Sequence, residues 1–425
     1  MKSYHIWTIG CQMNKADSER LASALEHLGL LATESAREAD VVVLNSCVVR
    51  QSAEDKVVGT LGLMKSSKRR RPEQVLALMG CMVGPKTQDL QSRFGHVDVF
   101  IRPQQYEPLL ELLGRRMEVD VQGCLANLAP VQPSVSSYVP VIHGCDLMCT
   151  FCIIPFRRGR QVSRPVQEVV HEVGLMSQRG MREVTLLGQT VDAYGHDLSE
   201  KPDLADLLHA VSETPELERV RFLTSHPIFM SDRIINAVKD IDKVCEHINL
   251  PIQAADDDVL ANMRRRYSED EYRRLIDKIR GAIPDVAIST DIIVGFPGET
   301  GQQFERTLRL VEEMEFDKVH AAAYSTRPGT YAERKLADNV TPEEKEYRLK
   351  ALDSLQEQIQ TRKNQRLQDS VVEVLVDGQK GGKWQGRTRT DKLVFFKDDR
   401  DMLGRLVKVK IESTSPWSLQ GAVKD

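Results

Sequence analysis

Apolar and polar positions alternate in short blocks along the first eighty residues, and the period of the pattern changes from block to block. Residues 4–9, Tyr-His-Ile-Trp-Thr-Ile, read as a strand. Asp17-Ser18-Glu19 opens an amphipathic run to Leu28 that Gly29 ends, which predicts a helix. Residues 40–45 contain the apolar run Val41–Leu44 and predict a buried strand; 51–65 predict a helix and 75–79 a third strand. Strand–helix alternation at this spacing predicts an open parallel α/β sheet over residues 1–124. Residues 125–137 hold two prolines, three serines and no charge, the composition of a linker. From Tyr138 the alternation restarts. Strands are expected near 138–143, 183–188, 219–224, 247–252, 286–294 and 318–324, with helices near 165–179, 203–213, 230–240, 268–281 and 301–314. Six successive βα units predict a partial (β/α)6 barrel over 138–365. Residues 342–368, charged with periodic leucines, predict a long surface helix. From Val371 the texture becomes short-stranded, so a small all-β barrel is expected over 366–425.

Charge adds little to this picture. The 425 residues include 58 Lys+Arg and 62 Asp+Glu, a net charge of −4. The chain is no polycation, and any nucleic-acid contact must come from local patches. No apolar run approaches the ~18 residues of a membrane span, and Met1–Gly10 has no apolar core of a secretory signal. A soluble cytoplasmic protein without a membrane partner is expected.

The eight cysteines change the picture most. Cys11, Cys47 and Cys81 each follow a predicted strand of the first sheet. Loops after parallel strands share one edge, where ligands bind. Any one of these cysteines alone reads as an ordinary buried thiol; three at equivalent strand ends point to shared ligation. Cys145, Cys149 and Cys152 form a C-x3-C-x2-C run directly after the first barrel strand. Close cysteine runs hold iron–sulfur clusters, usually with four thiolates. Three leave one iron of a [4Fe–4S] cluster open, the mark of a catalytic rather than structural site. A zinc site would want a fourth ligand, and His143 lies awkwardly close to Cys145. Cys124 and Cys245 have no partner at either spacing and read as ordinary thiols.

The run Gly144-Cys-Asp-Leu-Met-Cys-Thr-Phe-Cys-Ile153, with Phe151 before its third cysteine, resembles the radical S-adenosylmethionine (SAM) superfamily. The flanking Ser137-Tyr-Val-Pro-Val-Ile-His-Gly-Cys145 and Ile154-Pro-Phe-Arg-Arg-Gly-Arg-Gln-Val-Ser-Arg-Pro165 resemble the methylthiotransferase family within it. So do Leu187-Gly-Gln189, Ser289-Thr-Asp-Ile-Ile-Val-Gly-Phe-Pro-Gly-Glu299 and Tyr324-Ser-Thr-Arg-Pro-Gly329. Gly10-Cys-Gln-Met-Asn14, Asn45-Ser-Cys47 and Gly80-Cys81 match that family's N-terminal domain, and the C-terminal module resembles the RNA-binding TRAM domain. The resemblance covers nearly the whole chain. It implies two [4Fe–4S] clusters, one on Cys11, Cys47 and Cys81 and one on the catalytic Cys145, Cys149 and Cys152. It also implies SAM as cofactor, cleaved by one electron to methionine and a 5′-deoxyadenosyl radical. One SAM methylates a sulfur at the N-terminal cluster, and a second supplies the radical.

Within the family, Gly10-Cys-Gln-Met-Asn14 and Gly386-Arg-Thr-Arg-Thr390 match the branch acting on dimethylallyl-adenosine of tRNA, on the 3′ side of the anticodon. The threonylcarbamoyl-adenosine and ribosomal-protein branches usually differ at the first site. Those two substrates, and an iron–sulfur RNA-binding or electron-transfer protein without SAM chemistry, are the alternatives. The chain departs from the family at Pro251-Ile-Gln-Ala-Ala-Asp256 and at Asp391. Phe151, Gln189, Gln253 and Asp291 are the cofactor-binding candidates. Gln189 and Gln253 follow strands on one barrel face. Asp291 is a carboxylate inside a strand, costly unless it has a polar role. Gly295–Glu299 either supports the adenine of SAM or is a plain turn. Expected partners are a tRNA anticodon stem-loop, an electron donor such as flavodoxin or ferredoxin, and a sulfur or iron–sulfur supply protein. A monomer is expected. Basic clusters at Lys68–Arg71, Arg157–Arg164, Arg264–Arg266 and Lys380–Arg389 are candidate phosphate contacts. The last includes Trp384, a candidate stacking group for an exposed base.

Overall fold

The computed structural model describes residues 1–48, 51–125 and 128–424. Ala126 and Asn127 of the expected linker lie outside the described residues.

Five parallel strands form the first sheet: β1 (Ser3–Thr8), β2 (Leu31–Ala32), β3 (Val41–Ser46), β4 (Val75–Gly80) and β5 (Val99–Ile101), in the order β2-β1-β3-β4-β5. Strand side chains alternate between the two faces. Val41, Val43, Val75 and Ala77 therefore meet Leu21 and Leu25 of helix Gln12–His27 and Leu109 and Leu113 of helix Glu107–Met117. Val42, Leu44, Leu76 and Leu78 meet Val57 and Leu61 of helix Gln51–Arg70 on the opposite face. Helices thus cover both faces, and the central strands β3 and β4 are buried along their whole length.

The barrel is two three-stranded parallel sheets. One holds β6 (Ser136–Pro140), β9 (Glu183–Leu187) and β10 (Arg219–Leu223). The other holds β11 (His247–Asn249), β12 (Ala287–Val294) and β13 (Lys318–Ala323). A Val220–Val244 bridge joins them. Two short antiparallel strands, β7 (Ile142–His143) and β8 (Val162–Ser163), flank the Cys145–Cys152 loop. Val184, Leu186, Val220, Phe222 and Ile288 pack outward against the helices. The alternate residues, Thr185, Arg219, Arg221, Asn249 and Asp291, therefore point into the barrel. The N-terminal unit is docked on the barrel by Met13 and Ala16, which pack on Leu187. Arg20 and Arg164 both bind Glu172, at 2.7 and 2.6 Å, and Arg158 binds Asp17 at 2.8 Å. The serine/proline segment is also packed: the Ala129 carbonyl accepts from Ser23 Oγ and from Arg179.

Helix Pro342–Gln365 is the expected long surface helix, and it packs through one buried stripe of Arg348, Leu352, Gln356, Ile359 and Asn364 with near-helical spacing. Leu352 and Ile359 join the barrel core, and Arg348 reaches Glu299 at 2.8 Å. The C-terminal module is a closed barrel of β14 (Val371–Lys380), β15 (Lys383–Arg387), β16 (Leu393–Phe396), β17 (Leu406–Thr414) and β18 (Leu419–Val423). Trp384 belongs to its core, 9% exposed, and donates its indole N–H to the Asp398 carbonyl at 3.0 Å. It is not an exposed stacking platform.

The loop between β15 and β16 faces the large barrel. Arg221 donates to the carbonyls of Arg389 and Thr388, both at 2.7 Å, and Arg219 to that of Arg387 at 2.7 Å. Arg389 binds Glu246, and Lys392 binds Asp317. Arginines pointing into the barrel are buried cations that need acceptors, and the loop supplies them. Asp391 has a left-handed backbone (φ 62°) and accepts from Arg387 within that loop. Among the described residues no helix is long and apolar enough to cross a membrane.

Candidate functional site

The carboxyl ends of β1, β3 and β4 and the mouth of the large barrel enclose one cavity of about 830 Å³. All six cysteines of the two triads line it, as do Phe151, Gln189, Gln253 and Asp291. Cys124 and Cys245 do not; they pack in the first sheet's core and beneath the barrel.

Buried amides fix the N-terminal triad. Asn14 Nδ2 donates to Asn45 Oδ1 and to the Ser46 carbonyl, both at 2.8 Å, and Asn45 returns a bond to the Asn14 carbonyl. This ties the loop of Cys11 to that of Cys47. Cys81 follows Gly80, whose φ is 99° and where a Cβ would lie 2.4 Å from the Ser46 carbonyl oxygen. Only glycine fits there. Gly144 plays the same part for the second triad. Its φ is 69°, and a Cβ would lie 1.9 Å from the Arg160 carbonyl oxygen.

Two buried arginines touch the thiols. Arg158 Nε donates to Cys81 Sγ at 3.3 Å, and Arg265 Nη1 to Cys149 Sγ at 3.6 Å. Arg265 is held in turn by the Pro251 carbonyl and the Tyr267 hydroxyl. Cys145 Sγ lies 3.4 Å from Thr190 Oγ1. Burial pushes Cys81 up to about 11 and Cys152 up to about 12; the neighbouring arginines oppose that rise. Metal coordination deprotonates such thiols outright.

The remaining candidates form the barrel side. Gln189 Oε1 is buried with no hydrogen-bond partner among the described residues. Asp291 accepts from Asn249 Nδ2 at 3.1 Å, and Asn249 Oδ1 accepts from the Thr224 N–H. Thr224 (φ 70°) and Gln253 (φ 76°) hold left-handed backbones at the cavity rim. Both are strained conformations of the kind that cluster at ligand sites. Phe151 stacks edge-on with Phe296, centroids 6.4 Å apart.

The structure gives other candidates structural roles. In Gly295–Glu299, Glu299 closes the turn by accepting from the Gly295 N–H and Arg348. The departures Ala254 and Ala255 are buried, and Asp256 caps helix Asp257–Met263. Within Arg157–Arg164, Arg158 and Arg164 are committed to internal ion pairs. Sequence reasoning missed Arg158, Arg265 and Asn249 as site residues. Both arginines lie in basic runs, where a buried cation and a phosphate contact look alike.

The fit to an iron–sulfur group rests on the donor set. Zinc–sulfur bonds of about 2.3 Å place the thiolates of a tetrahedral site roughly 4 Å apart. Among the described residues no three Cys, His, Asp or Glu are grouped to hold a single ion. The triads instead border a shared space, with buried N–H donors at the sulfurs and an orphaned amide oxygen beside them.

Comparison with known proteins agrees with this architecture. Residues 139–311 match the radical SAM superfamily, 3–102 the uncharacterized protein family UPF0004, and 365–424 the TRAM domain. The solved radical S-adenosylmethionine methyltransferase TsrM from Kitasatospora setae superposes with TM-score 0.58 at 14% identity, over 78% of this chain and 77% of its own. Among relatives in sequence, a protein of Roseiflexus sp. (strain RS-1) is 49% identical over 99% of this chain and 90% of its own length. One of Herpetosiphon aurantiacus is 48% identical over 98% and 96%. One of Dehalococcoides mccartyi (strain 195) is 44% identical over 99% and 98%. All three are named tRNA-2-methylthio-N(6)-dimethylallyladenosine synthase. Fold and site define a radical SAM protein with an added N-terminal α/β unit and a C-terminal TRAM barrel. Within that class, the chain belongs to the tRNA-2-methylthio-N(6)-dimethylallyladenosine synthase family of radical SAM methylthiotransferases.

Proposed function

We propose that this chain adds a methylthio group to carbon 2 of the dimethylallyl-modified adenosine beside the tRNA anticodon. One observation carries the reading: two cysteine triads, from separate units of the fold, open onto one cavity of about 830 Å³. Cys145, Cys149 and Cys152 would hold one [4Fe–4S] cluster and Cys11, Cys47 and Cys81 a second. Gln189, Gln253, Asp291 and Phe151 would hold SAM. When bound, these groups supply one-electron cleavage of SAM and a methylated sulfur for transfer. The chain's own residues do the rest. Arg265 fixes the Cys149 sulfur, and Asn249 orients the Asp291 carboxylate. The docked helix Gln12–His27 covers part of the barrel mouth, with Met13 and Ala16 packed on Leu187, and such shielding protects a radical from side reactions.

A single-stranded anticodon loop presents an unstacked base that such a cavity can take. On the small barrel, Trp384 and Arg389 are committed internally, so RNA contact falls to exposed groups such as Lys408, Lys410 and Trp417. An electron donor of the flavodoxin or ferredoxin type, a sulfur supply protein, a cytoplasmic setting and a monomeric state complete the proposal.

The test is mass spectrometry of tRNA nucleosides from a strain lacking this gene, with and without the chain restored. The methylthio nucleoside should vanish and return. Loss of a methylthiolated threonylcarbamoyl-adenosine instead would overturn the substrate assignment. Two clusters predict about eight irons per folded chain after anaerobic reconstitution, against about four for one. A value near four would remove the N-terminal triad as a cluster site.

A further inference from the structure

We propose that Arg158 is a positioning residue for the N-terminal triad, contributed by the radical SAM unit. Its guanidinium donates to the Cys81 sulfur and raises the reduction potential of the iron–sulfur group held there. The inference rests on Cys11, Cys47 and Cys81 holding such a group.

Arg158 ends the short helix Ile154–Arg158, which follows directly on the second cysteine triad. Its side chain leaves the barrel unit and enters the N-terminal one. Nε lies 3.3 Å from Cys81 Sγ, and Nη2 lies 2.8 Å from Asp17 Oδ2. The two charged side chains are 2% and 0% exposed. Nη1 is buried with no hydrogen-bond partner among the described residues. A buried donor left unpaired is costly, whereas an anionic occupant of the cavity that Arg158 lines relieves that cost.

Arginine remains charged in proteins, so the bond to Cys81 is charge-assisted. Reduction adds one negative charge to a cluster and its thiolates. A cationic donor on a ligand sulfur stabilises the reduced form more than the oxidised one. Hydrogen bonds to sulfur and local net charge are established controls of cluster potential. Asp17 offsets part of the charge at a distance but leaves the directed N–H bond to sulfur in place. At Cys11 the thiol donates to the Asn14 amide oxygen at 3.4 Å, an acceptor that offers a ligand sulfur no hydrogen bond. Arg265 provides the equivalent bond at Cys149 from within its own unit. Cys81 therefore acquires this cationic donor when the two units dock.

The competing role is a mere strut between units, and opposite shifts separate the two. Wild type, Arg158→Gln, Arg158→Lys and Asp17→Asn are prepared as full chains and reconstituted anaerobically. Iron is counted, and each cluster is titrated with a reductant while its paramagnetic signal is followed. Chains lacking Cys145, Cys149 and Cys152 isolate the N-terminal signal. Arg158→Gln should keep its iron while its reduction equilibrium falls about tenfold, ~59 mV more negative for one electron. Arg158→Lys should recover much of that shift, and Asp17→Asn should move the potential the other way. The Cys145/Cys149/Cys152 cluster should stay at its wild-type potential. Iron-loaded Arg158→Gln at the wild-type potential overturns the proposal. So does loss of N-terminal iron in both Gln and Lys variants, which marks a strut. Loss in Gln with retention and wild-type potential in Lys supports it. A wild-type chain with only one cluster signal fails earlier, at the reading of the triad itself.

Discussion

Buried polar residues do specific work in this molecule, and His247 is one whose cost is visible in pH. It sits on β11 with its ring inside the barrel, 6% exposed, its Nε2 3.3 Å from Ser289 Oγ. Burial pushes it down to about 4, and the facing Asp391 carboxylate only partly opposes this. The unfolded chain protonates this histidine near pH 6.5; the folded chain does not until about pH 4. Stability from the neutral ring is present above pH 6.5 and is lost as pH falls toward 4, by up to ~1.4 kcal/mol per pH unit. Melting of the wild type should therefore fall more steeply between pH 7 and 5 than that of His247→Gln. Parallel curves would show that the ring takes up its proton alike in the folded and unfolded chain. Gly144→Ala is the complementary backbone case. The added Cβ meets the Arg160 carbonyl oxygen in a left-handed conformation. A loss of about 1–3 kcal/mol is expected, with iron lost from the adjacent triad, as read by melting and iron count.

At the scale of elements, periodicity and turn residues made the strands and most helices legible. β3 and β4 are apolar runs bounded by polar turns, and the strand-end cysteines follow from their spacing. The first triad was legible for that reason and the second from its C-x3-C-x2-C run, and all six cysteines line the cavity. Other features depend on what a segment meets. Helix Glu107–Met117 is absent from the expected elements although Pro108 in its first turn and the spacing of Leu109, Leu110 and Leu113 mark it. Trp384 looks the same in sequence whether it faces a base or the small barrel's core. The basic run Lys380–Arg389 is uninformative for the same reason: charge count does not say that Arg389 binds Glu246. Arg219 and Arg221 show the tertiary cause, since strand alternation sends both into the barrel, where Glu183, Glu373 and the carbonyls of Arg387, Thr388 and Arg389 offer acceptors. Arg221→Leu should leave the carbonyls of Thr388 and Arg389 unpaired and Glu183 without its cation. Breaking such buried pairs costs about 3–5 kcal/mol. Limited proteolysis should then release the C-terminal barrel faster than in wild type, and unchanged protection would show that the loop is held by other contacts.

The whole molecule joins three units at two junctions, and only one junction holds the candidate chemistry. The small barrel grips the amino-terminal end of the large one through Arg219, Arg221 and Lys392. The first sheet grips the opposite mouth through Met13, Asp17 and Arg20, and brings its triad to the cavity that the C-x3-C-x2-C loop lines. That arrangement predicts different failures for the two triads. Cys145→Ala, Cys149→Ala or Cys152→Ala should abolish both SAM cleavage and the methylthio product, because the site that would bind SAM is lost. Cys11→Ala, Cys47→Ala or Cys81→Ala should abolish the product while reductive cleavage of SAM to 5′-deoxyadenosine persists. Metal binding and folding are coupled, so each variant is compared by cooperative melting and by iron retained at the other triad. Cys81→Ala tests the division most severely, since Cys81 is buried and Arg158 would lose its sulfur acceptor while keeping Asp17. A folded Cys81→Ala chain that still methylthiolates tRNA at the wild-type rate would refute the separation of roles, and one that loses SAM cleavage as well would show that the two triads act as a single site.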